Sequence, residues 1–262
     1  MGFSWQAWYQ SLKREEDREQ RTWHIVQQVV AIRLHYPRLG TRKLHHLLWR
    51  QPEAASHVGR DRLFQILRSA RLLIVPERAY HKATNSHYRF YRHPNLLKRG
   101  GNQVKASRPE HVWVADITYL PLRTGTAYVS LVTDAWSRKI VGYHVHDSLH
   151  NRHVACAFRM ALGSIRTSLP QVHHSDRGIQ YCSEEYQALH KRYGIMCSMT
   201  DGYDCYQNAL AERVNGILKT EYLLVKPEDI EQARKMVRES VEIYNTQRPH
   251  VSLQYKTPDE PH

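Results

Sequence analysis

Three acidic residues, Asp116, Asp176 and Glu212, are the sequence feature that most constrains how this chain can fold. The first two lie in apolar, β-rich runs, WVADITYL and HHSDRGIQY, and the third lies in a helical stretch, NALAERVNGILK. Thirty-five residues separate Asp176 from Glu212. Two strands and a helix must therefore converge if the three carboxylates are to act as one site.

A set made entirely of carboxylates indicates a hard divalent cation. Oxygen ligands suit Mg²⁺, which proteins usually hold through one or two carboxylates plus substrate phosphates. Two such ions can stabilise the attacking and leaving oxygens of an in-line phosphoryl displacement. Asp116 lies between apolar neighbours, where an unpaired carboxylate is costly. We therefore predict a site for two Mg²⁺ ions, with Mn²⁺ as a substitute, in an enzyme that cuts and joins DNA.

The charge of the chain is concentrated in its first part. The 262 residues carry a net charge of +13. Residues 1–105 contain 20 Lys/Arg and 7 Asp/Glu, whereas residues 106–262 contain 18 of each. A basic front joined to a neutral body favours a nucleic-acid-binding module attached to a catalytic one. The alternative is a basic surface that serves solubility alone.

The basic front divides into three predicted segments. Residues 1–20 form an N-terminal helix, residues 21–77 a helix-turn-helix domain for DNA, and residues 78–109 a basic linker with no acidic residue between Arg78 and Pro109. A recognition helix of this kind enters the major groove, and a small helical bundle with a basic face is the alternative. The candidate DNA contacts are Arg60, Arg62 and Arg68 on the last helix and Arg42 and Lys43 on the helix before it. The linker carries interleaved aromatic residues that can stack on bases, at Tyr80, Tyr88, Phe90 and Tyr91; a solvated tether is the alternative there.

The body predicts a mixed α/β (α+β) fold. Three β-rich runs joined by tight turns begin near residue 110 and indicate an antiparallel meander. A helix capped by Asn151 follows, then a strand to Asp176, a second helix, a short strand and the helix that carries Glu212. The order βββαβαβα is that of a ribonuclease-H-like integrase core, which we place at residues 110–225. Residues 226–262 form a C-terminal helix and tail.

The Glu212 helix has a predicted polar face. Leu210, Val214 and Ile217 form its apolar stripe. Glu212, Asn215 and Lys219 lie together on the opposite side, with Gly216 among them. Asn215 and Lys219 are therefore predicted to contact DNA phosphates, and Gly216, costly in mid-helix, is predicted to let the DNA backbone approach. His174 lies on the same strand face as Asp176 and is a further candidate DNA contact; a core histidine is equally compatible with the pattern.

Other features exclude competing classes of protein. Four acids are rivals to the three above, but each lies beside turn-forming residues and is expected to act in a turn: Asp134, Asp147, Asp201 and Asp204. The four cysteines form no Cys-x-x-Cys pair, so a zinc or disulfide framework is not expected. The N-terminus becomes charged at once, unlike a signal peptide, and no apolar run approaches membrane-spanning length. We expect a cytoplasmic protein that does not bind membranes.

Five segments together resemble a known family: WVADITYL, VTDAWSRKIVGY, HHSDRGIQY, SMTDGYDCYQNALAERVNGILKTEY and YNTQRPHVSLQYKTPDE. They are similar to the second-frame product of insertion sequences of the IS-three family, which are transposases with a retroviral-integrase-like DDE core. The residue 21–75 unit also resembles the helix-turn-helix segment of that family. The resemblance covers nearly the whole chain.

The resemblance implies an activity, partners and a bacterial, nucleoid-associated location. It implies Mg²⁺-dependent cleavage of one strand at an element end, followed by attack of the freed 3′-OH on DNA, with Asp116, Asp176 and Glu212 as the acid triad. The partners are double-stranded DNA of the terminal repeats and of the target, and further copies of the chain, because two ends must meet in a dimer or larger assembly. An upstream-frame protein is a further expected partner. The alternatives are a DNA-binding regulator that is inactive without that partner and a stand-alone metal-dependent nuclease.

Overall fold

A computed structural model describes residues 5–50, 57–75, 93–101, 103–165, 170–201 and 208–262. The chain divides into two compact units, Met1–Tyr80 and His81–His262. The predicted linker aromatics Tyr80, Tyr88, Phe90 and Tyr91 lie outside the described residues, as do Asp204 and Cys205.

The first unit is helical. It contains α1 (Trp5–His35), α2 (Thr41–Trp49) and α3 (Arg60–Ser69). The three helices enclose one apolar core built from positions at helical spacing, and its members include Ile25, Val29, Leu44, Leu63 and Leu67. The predicted boundary at residue 20 falls inside α1, which is continuous because Trp5–His35 contains no Gly or Pro to end it.

The connections in the first unit differ in length. Pro37 and Gly40 lie in the five-residue connection between α1 and α2. The ten residues between α2 and α3, 50–59, include residues 51–56, which lie outside the described ranges. The helix-turn-helix assignment therefore stays a prediction.

The second unit is built on one five-stranded sheet. Its strands are β1 (Val112–Leu122), β2 (Gly125–Asp134), β3 (Ile140–His146), β4 (Val172–Ser175) and β5 (Met196–Met199), in the spatial order β3-β2-β1-β4-β5. The β1–β2 and β2–β3 pairs are antiparallel, and β4 runs parallel to both β1 and β5. The predicted meander and the element order of a ribonuclease-H-like core are confirmed.

Helices cover both faces of this sheet. The helices are α4 (Asn151–Gly163), α5 (Glu184–Tyr193), α6 (Ala209–Ile217) and α7 (Ile230–Thr246). The core on one face includes side chains of α4 and α5, and the core on the other includes side chains of α6 and α7. Gly142 on β3 allows α4 to approach closely, because a Cβ there would lie 2.2 Å from the carbonyl oxygen of Ala157. The predicted cap of α4 is wrong by one position: Asn151 is the first helical residue, and His150 occupies the N-cap without a side-chain hydrogen bond.

The described end of the predicted linker is part of the second unit. The amide of Leu96 donates to Ser198 Oγ at 2.9 Å, and the amide of Met199 donates to the carbonyl of Pro94 at 3.3 Å. Lys98 forms a 2.8 Å ion pair with Asp201. Residues 94–98 are therefore attached to β5 and to the residues that follow it, which does not fit a free tether.

The C-terminal helix α7 is tied to the sheet, and the tail after it is tied to the end of the Glu212 helix. Both polar atoms of the Asn245 amide bond to the backbone of Ile140 on β3, at 2.9 Å each. Beyond α6 the chain forms a π-helical turn, Leu218–Tyr222. Glu221 in that turn accepts two hydrogen bonds of 2.7 Å from the buried guanidinium of Arg248. These contacts fix the position of the π turn relative to the tail.

A hydrogen-bonded chain of two histidines and a tyrosine lies in the core beneath β4. His190 Nδ1 is 3.1 Å from a backbone carbonyl, that of Tyr186, so this nitrogen must donate. His190 Nε2 then accepts from His173 Nδ1 at 3.3 Å. His173 Nε2 in turn accepts from the Tyr186 hydroxyl at 3.2 Å. Burial lowers the pKa of both imidazoles, so both are neutral and the bonds run in this direction.

Burial lowers the pKa of His190 to about 4, although the bond to the Tyr186 carbonyl opposes the shift. In the unfolded chain the pKa is near 6.5, so between those values the unfolded state binds more protons and stability falls as pH falls. We expect lowering the pH from 7 to 5 to cost about 2 kcal/mol through this group. Urea unfolding of His190→Gln should show that much less pH dependence than the wild type. An unchanged pH dependence in His190→Gln would contradict the expectation.

No helix within the described ranges is both long enough and apolar enough to span a membrane.

Candidate active site

The register of the sheet brings Asp116 and Asp176 to the same level on adjacent strands. Val114 on β1 pairs with His174 on the parallel strand β4. Asp116 and Asp176 each lie two residues further along. Because β4 ends at Ser175 while β1 continues to Leu122, Asp176 follows the end of its strand and Asp116 lies in the middle of one.

Helix α6 places Glu212 beside this pair. The helix packs on the sheet through Ala211 and Val214, and Leu218 continues the contact in the π turn. The Asn208 side chain, at the N-cap, donates to the carbonyl of Ala115 at 3.0 Å and so attaches the start of the helix next to Asp116. Glu212 itself is exposed. The apolar stripe is thus rotated from the predicted one, since Leu210 and Ile217 are only half-buried.

The three carboxylates influence one another. Burial, followed by the charge of Asp176, raises the pKa of Asp116 to about 7. Asp176 is accessible to solvent at its surface, yet enough protein surrounds it that burial raises its pKa. Burial and the charge of Asp176 also raise the pKa of Glu212. The site is therefore a cluster of like charges that a cation would stabilise.

A tight turn holds the Asp176 carboxylate. The amide of Gly178 donates to Asp176 Oδ1 at 2.9 Å. A Cβ at position 178 would lie 3.0 Å from that oxygen. Glycine therefore allows the backbone to approach the carboxylate closely enough to bond to it.

Asn215 contacts the catalytic candidate Asp116, which corrects its predicted role. Asn215 is buried, and its Nδ2 donates to Asp116 Oδ2 at 2.7 Å. A buried amide that is bonded to a carboxylate is not available to a DNA phosphate. Helical spacing placed Asn215 on the same face as Glu212. Spacing along the sequence could not show that this residue faces Asp116 in the folded chain.

Lys219 lies in the π turn, half-buried. Burial lowers the pKa of its ammonium, while the nearby charge of Asp116 opposes that shift. Lys219 is thus within electrostatic reach of the acidic cluster. A Cβ added to Gly216, between Asn215 and Lys219, would meet no atom within 4 Å, so packing within the chain does not require glycine there.

The prediction for His174 is corrected. His174 is fully buried, and its Nδ1 lies 2.8 Å from Ser198 Oγ on the neighbouring strand β5. Its position on a central strand covered on both faces makes it a core histidine, which was the alternative interpretation, and keeps it away from DNA.

The rival acids have other partners. Asp134 is buried and accepts bonds from the amides of Trp136 and Ser137 in the turn after β2 and from the amide of Glu110 before β1. Asp201 pairs with Lys98, and Asp147 is exposed. In the part of the chain that the structure describes, no group of three or more His, Cys, Asp or Glu side chains is compact enough to form a metal cluster by itself.

Comparison with known proteins decides the family. Two models of the integrase core domain match residues 106–205 and residues 193–258. The 31 kDa protein of insertion element IS600 from Shigella sonnei is 36% identical over 220 residues, which cover 82% of this chain and 77% of that protein. The transposase InsF for insertion sequence IS3A from Escherichia coli (strain K12) is 37% identical over 127 residues, which cover 48% of this chain and 43% of that transposase.

The chain belongs to the IS-three family of insertion-sequence transposases. It is a DNA transposase with a polynucleotidyl transferase core of the DDE class. A magnesium complex of the HTLV-2 integrase catalytic core shares the fold, with a TM-score of 0.50 and 21% identity over 60% of this chain and 99% of that one. The predicted family, fold class and enzyme class are confirmed.

The candidate DNA contacts of the first unit lie at its surface. On α3 of this transposase, Arg60, Arg62 and Arg68 are exposed. Arg60 bonds to Asp61 at 2.9 Å and Arg62 to Gln65 at 3.2 Å. On α2, a second pair of candidates is available to solvent, Arg42 being exposed and Lys43 half-buried.

Two residues near the site of the transposase were not predicted from the sequence. Asn208 could have been predicted as a helix N-cap, because Asn is frequent at that position, but its contact with β1 depends on the packing of α6. Tyr181 is buried, and its pKa is raised by burial and by the nearby charges of Tyr186, Asp176 and Asp116. It follows the turn at Gly178 and contributes to the wall behind the aspartates.

Replacing Asn215 tests its contact with Asp116. Asn215→Ala should lower the cleavage rate by about 10–100-fold, as expected when a ligand's hydrogen-bond partner is lost, and should raise the Mg²⁺ concentration that gives half-maximal activity. Rates across a Mg²⁺ titration measure both effects. Asn151→Ala, at an exposed position in the same unit, should change neither. A wild-type Mg²⁺ dependence in Asn215→Ala would show that the contact has no functional role.

Proposed function

We propose that this transposase cleaves one DNA strand at each end of an insertion sequence and joins the freed 3′-OH to another DNA site. Asp116, Asp176 and Glu212 carry the reaction. The observation that carries this proposal is the register, which sets Asp116 on β1 level with Asp176 just after β4, with Glu212 within reach of their charges.

The donor chemistry of the three side chains fits a divalent metal centre, although within the described residues their present spacing does not form one. They offer oxygen ligands alone, which suits Mg²⁺ and also Mn²⁺. Their raised pKa values reflect burial and mutual repulsion. A bound cation would offset the free-energy cost of holding these negative charges together in a buried place. When bound, two Mg²⁺ ions would activate the attacking oxygen and stabilise the leaving 3′ oxygen. Asp116 and Asp176 would hold the metals, and Glu212 would complete the second site.

The neighbouring side chains orient the site. Asn215 holds the Asp116 carboxylate in one orientation through its 2.7 Å bond. Lys219 lies close enough to Asp116 to contact a phosphate next to the scissile bond. The open space over Gly216 leaves room for the DNA backbone on the same face. Phosphate contacts of this kind fix the register of DNA without reading its sequence.

The first unit would bind the double-stranded element ends. Its basic residues on two short helices are exposed, or half-buried in the case of Lys43, which suits phosphate and groove contacts: Arg42, Lys43, Arg60, Arg62 and Arg68. We place the helix-turn-helix domain at residues 21–77, the catalytic core at residues 110–225 and the C-terminal helix and tail at residues 226–262. The substrate is DNA of the bacterial nucleoid.

Assembly is part of the proposal. Two element ends must be held in one complex for joining, so we expect a dimer or larger assembly on DNA. An upstream-frame protein is a further expected partner. Mass photometry of the end-bound complex measures the number of protomers, and a single protomer holding two ends would contradict the expectation.

A strand-transfer assay tests the function. Genomic fragments that the protein retains are sequenced for a shared terminal repeat, and labelled duplexes ending in that repeat are incubated with the protein and Mg²⁺. Metal-dependent nicking at the repeat and joining to a second duplex support a transposase. Cutting without joining favours a stand-alone nuclease, and binding without either reaction favours a regulator that lacks its upstream partner.

Lys219 gives a separate test of the phosphate contact. If Lys219 touches one phosphate, Lys219→Ala should lower the salt slope of DNA binding by about 1 for all sequences. Strand transfer should fall more than binding, because in-line displacement is sensitive to mispositioned phosphates. Lys235→Ala, at an exposed position on α7, should behave as wild type. A wild-type salt titration together with normal strand transfer in Lys219→Ala would show that this lysine is merely solvated.

A further inference from the structure

A cavity of about 470 Å³ lies in the second unit, apart from the acidic site. Four parts of the chain that are far apart in the sequence line it: Leu97 with residues 103–106, Val112 at the start of β1, the turn between β2 and β3, and the 3₁₀ turn Val251–Leu253. In the turn between β2 and β3, the amide of Ala135 donates to the carbonyl of Val112 at the start of β1. The cavity is therefore near the beginning of β1, four residues before Asp116.

The walls of the cavity are held by hydrogen bonds. Asp134 Oδ1 accepts from the amides of Trp136 and Ser137, at 3.0 and 2.6 Å. The side-chain amide of Gln103 donates to the carbonyl of Leu97 at 2.9 Å, which fixes the loop that contains both residues. A ligand would therefore find a shape that is already formed, as is usual for small-molecule sites.

The lining combines an apolar floor with an aromatic ring and two cations. Leu97, Val104 and Leu253 supply apolar surface. Trp136 is 42% exposed, so one part of its indole is available to a ligand. Lys105 and Arg138 also line the cavity. Among the described residues that line it, none is acidic. The indole and the two cations therefore favour a ligand with a planar ring attached to a negative charge.

We propose that this cavity binds an unpaired nucleotide of a DNA strand, with its base against Trp136 and its phosphates beside Lys105 and Arg138. A paired base is stacked on its neighbours in the duplex, so a base that reaches the indole must have left the stack. Aromatic side chains bind single strands in this way whatever the base, while basic groups follow the backbone. The proposal rests on the proposed function, because a strand cut at an element end can fray beside the cut.

Two matched oligonucleotides separate base stacking from phosphate attraction. Fluorescence anisotropy of the full-length protein, without metal, is measured with a twelve-nucleotide oligothymidine. It is also measured with an abasic strand that has the same number of phosphates. The wild type should bind the oligothymidine more tightly. Trp136→Ala should weaken that binding roughly tenfold, which is about 1.4 kcal/mol of stacking, and should leave the abasic strand unaffected. Trp136→Phe should recover most of the loss.

Further variants locate the contact. Lys105→Ala should weaken binding of both strands, because it removes a phosphate contact. Tyr119→Ala, an exposed aromatic residue elsewhere on the sheet, and Lys191→Ala, an exposed lysine on α5, should bind both strands as wild type does. Photocrosslinking of a 5-iododeoxyuridine strand, followed by peptide mapping, should identify the peptide that contains Trp136.

Three results would overturn the proposal. The first is that Trp136→Ala still prefers the oligothymidine over the abasic strand as strongly as the wild type does. The second is a crosslink that maps outside the cavity. The third is a change in the sedimentation of the DNA-free protein in Trp136→Ala with no change in oligonucleotide binding, which would assign the cavity to a second copy of the chain. Binding needs neither metal nor cleavage, so its failure would leave the proposed reaction standing, and failure of strand transfer would leave the cavity's binding standing.

Discussion

Asp116→Asn, Asp176→Asn and Glu212→Gln should each reduce cleavage and strand transfer to below about one thousandth of the wild-type rate. Each change removes a charged oxygen from the candidate metal centre while keeping the shape of the side chain. Loss of an outer partner of a metal ligand already costs about 10–100-fold, and loss of a ligand should cost more. Rates of nicking and joining on labelled element ends measure the effect.

Stability and binding separate this result from damage to the fold. The three carboxylates repel one another, as their raised pKa values indicate, so removing one charge should leave the unfolding temperature unchanged or raise it. Binding to element ends should survive, because the first unit is intact. Asp147→Asn, at an exposed aspartate in the same unit, is the matched control. Substantial Mg²⁺-dependent strand transfer in any of the three site variants would refute the assignment.

Arg248→Met should destabilise the second unit by about 3–5 kcal/mol. It leaves Glu221, whose side chain is only 15% exposed, without the guanidinium that gives it two hydrogen bonds. Arg248→Lys should recover little, because an ammonium cannot reproduce the paired geometry. Chemical denaturation measures the free energy of unfolding.

The double variant separates the loss of the ion pair from the loss of packing around Arg248. Arg248→Met combined with Glu221→Met should be much more stable than Arg248→Met alone, since no unpaired buried charge remains. The exposed pair between Arg159 and Glu185 is the control, and Arg159→Met should cost no more than about 1 kcal/mol. Equal stabilities for the single and double variants would contradict the account.

The same pair has a consequence for activity. Glu221 and Lys219 share the π turn Leu218–Tyr222. A displaced turn would move the Lys219 ammonium away from Asp116. Arg248→Met protein that remains folded at low temperature should therefore lose strand transfer more than it loses binding to DNA.

Much of the fold could be predicted from the sequence. The β-rich runs and the apolar periodicity of the helices are local patterns, and they placed all five strands and α2 through α7 in the correct order. The continuity of α1 could also have been predicted, because Trp5–His35 contains no residue that breaks a helix. The π turn could not, because nothing local distinguishes it from the α-helix before it.

The sequence by itself determined the family, the fold class and the three candidate acids, because spacing and residue type are properties of the chain. The tertiary structure alone decided what each neighbour of those acids contacts. Asn215 and His174 had the correct position on their helix and strand, but burial removed both from the DNA surface: Asn215 bonds to Asp116 and His174 to Ser198. The physical reason is that periodicity shows which residues share a face, whereas the packing of α6 on β1 and the central place of β4 in the sheet determine what that face meets.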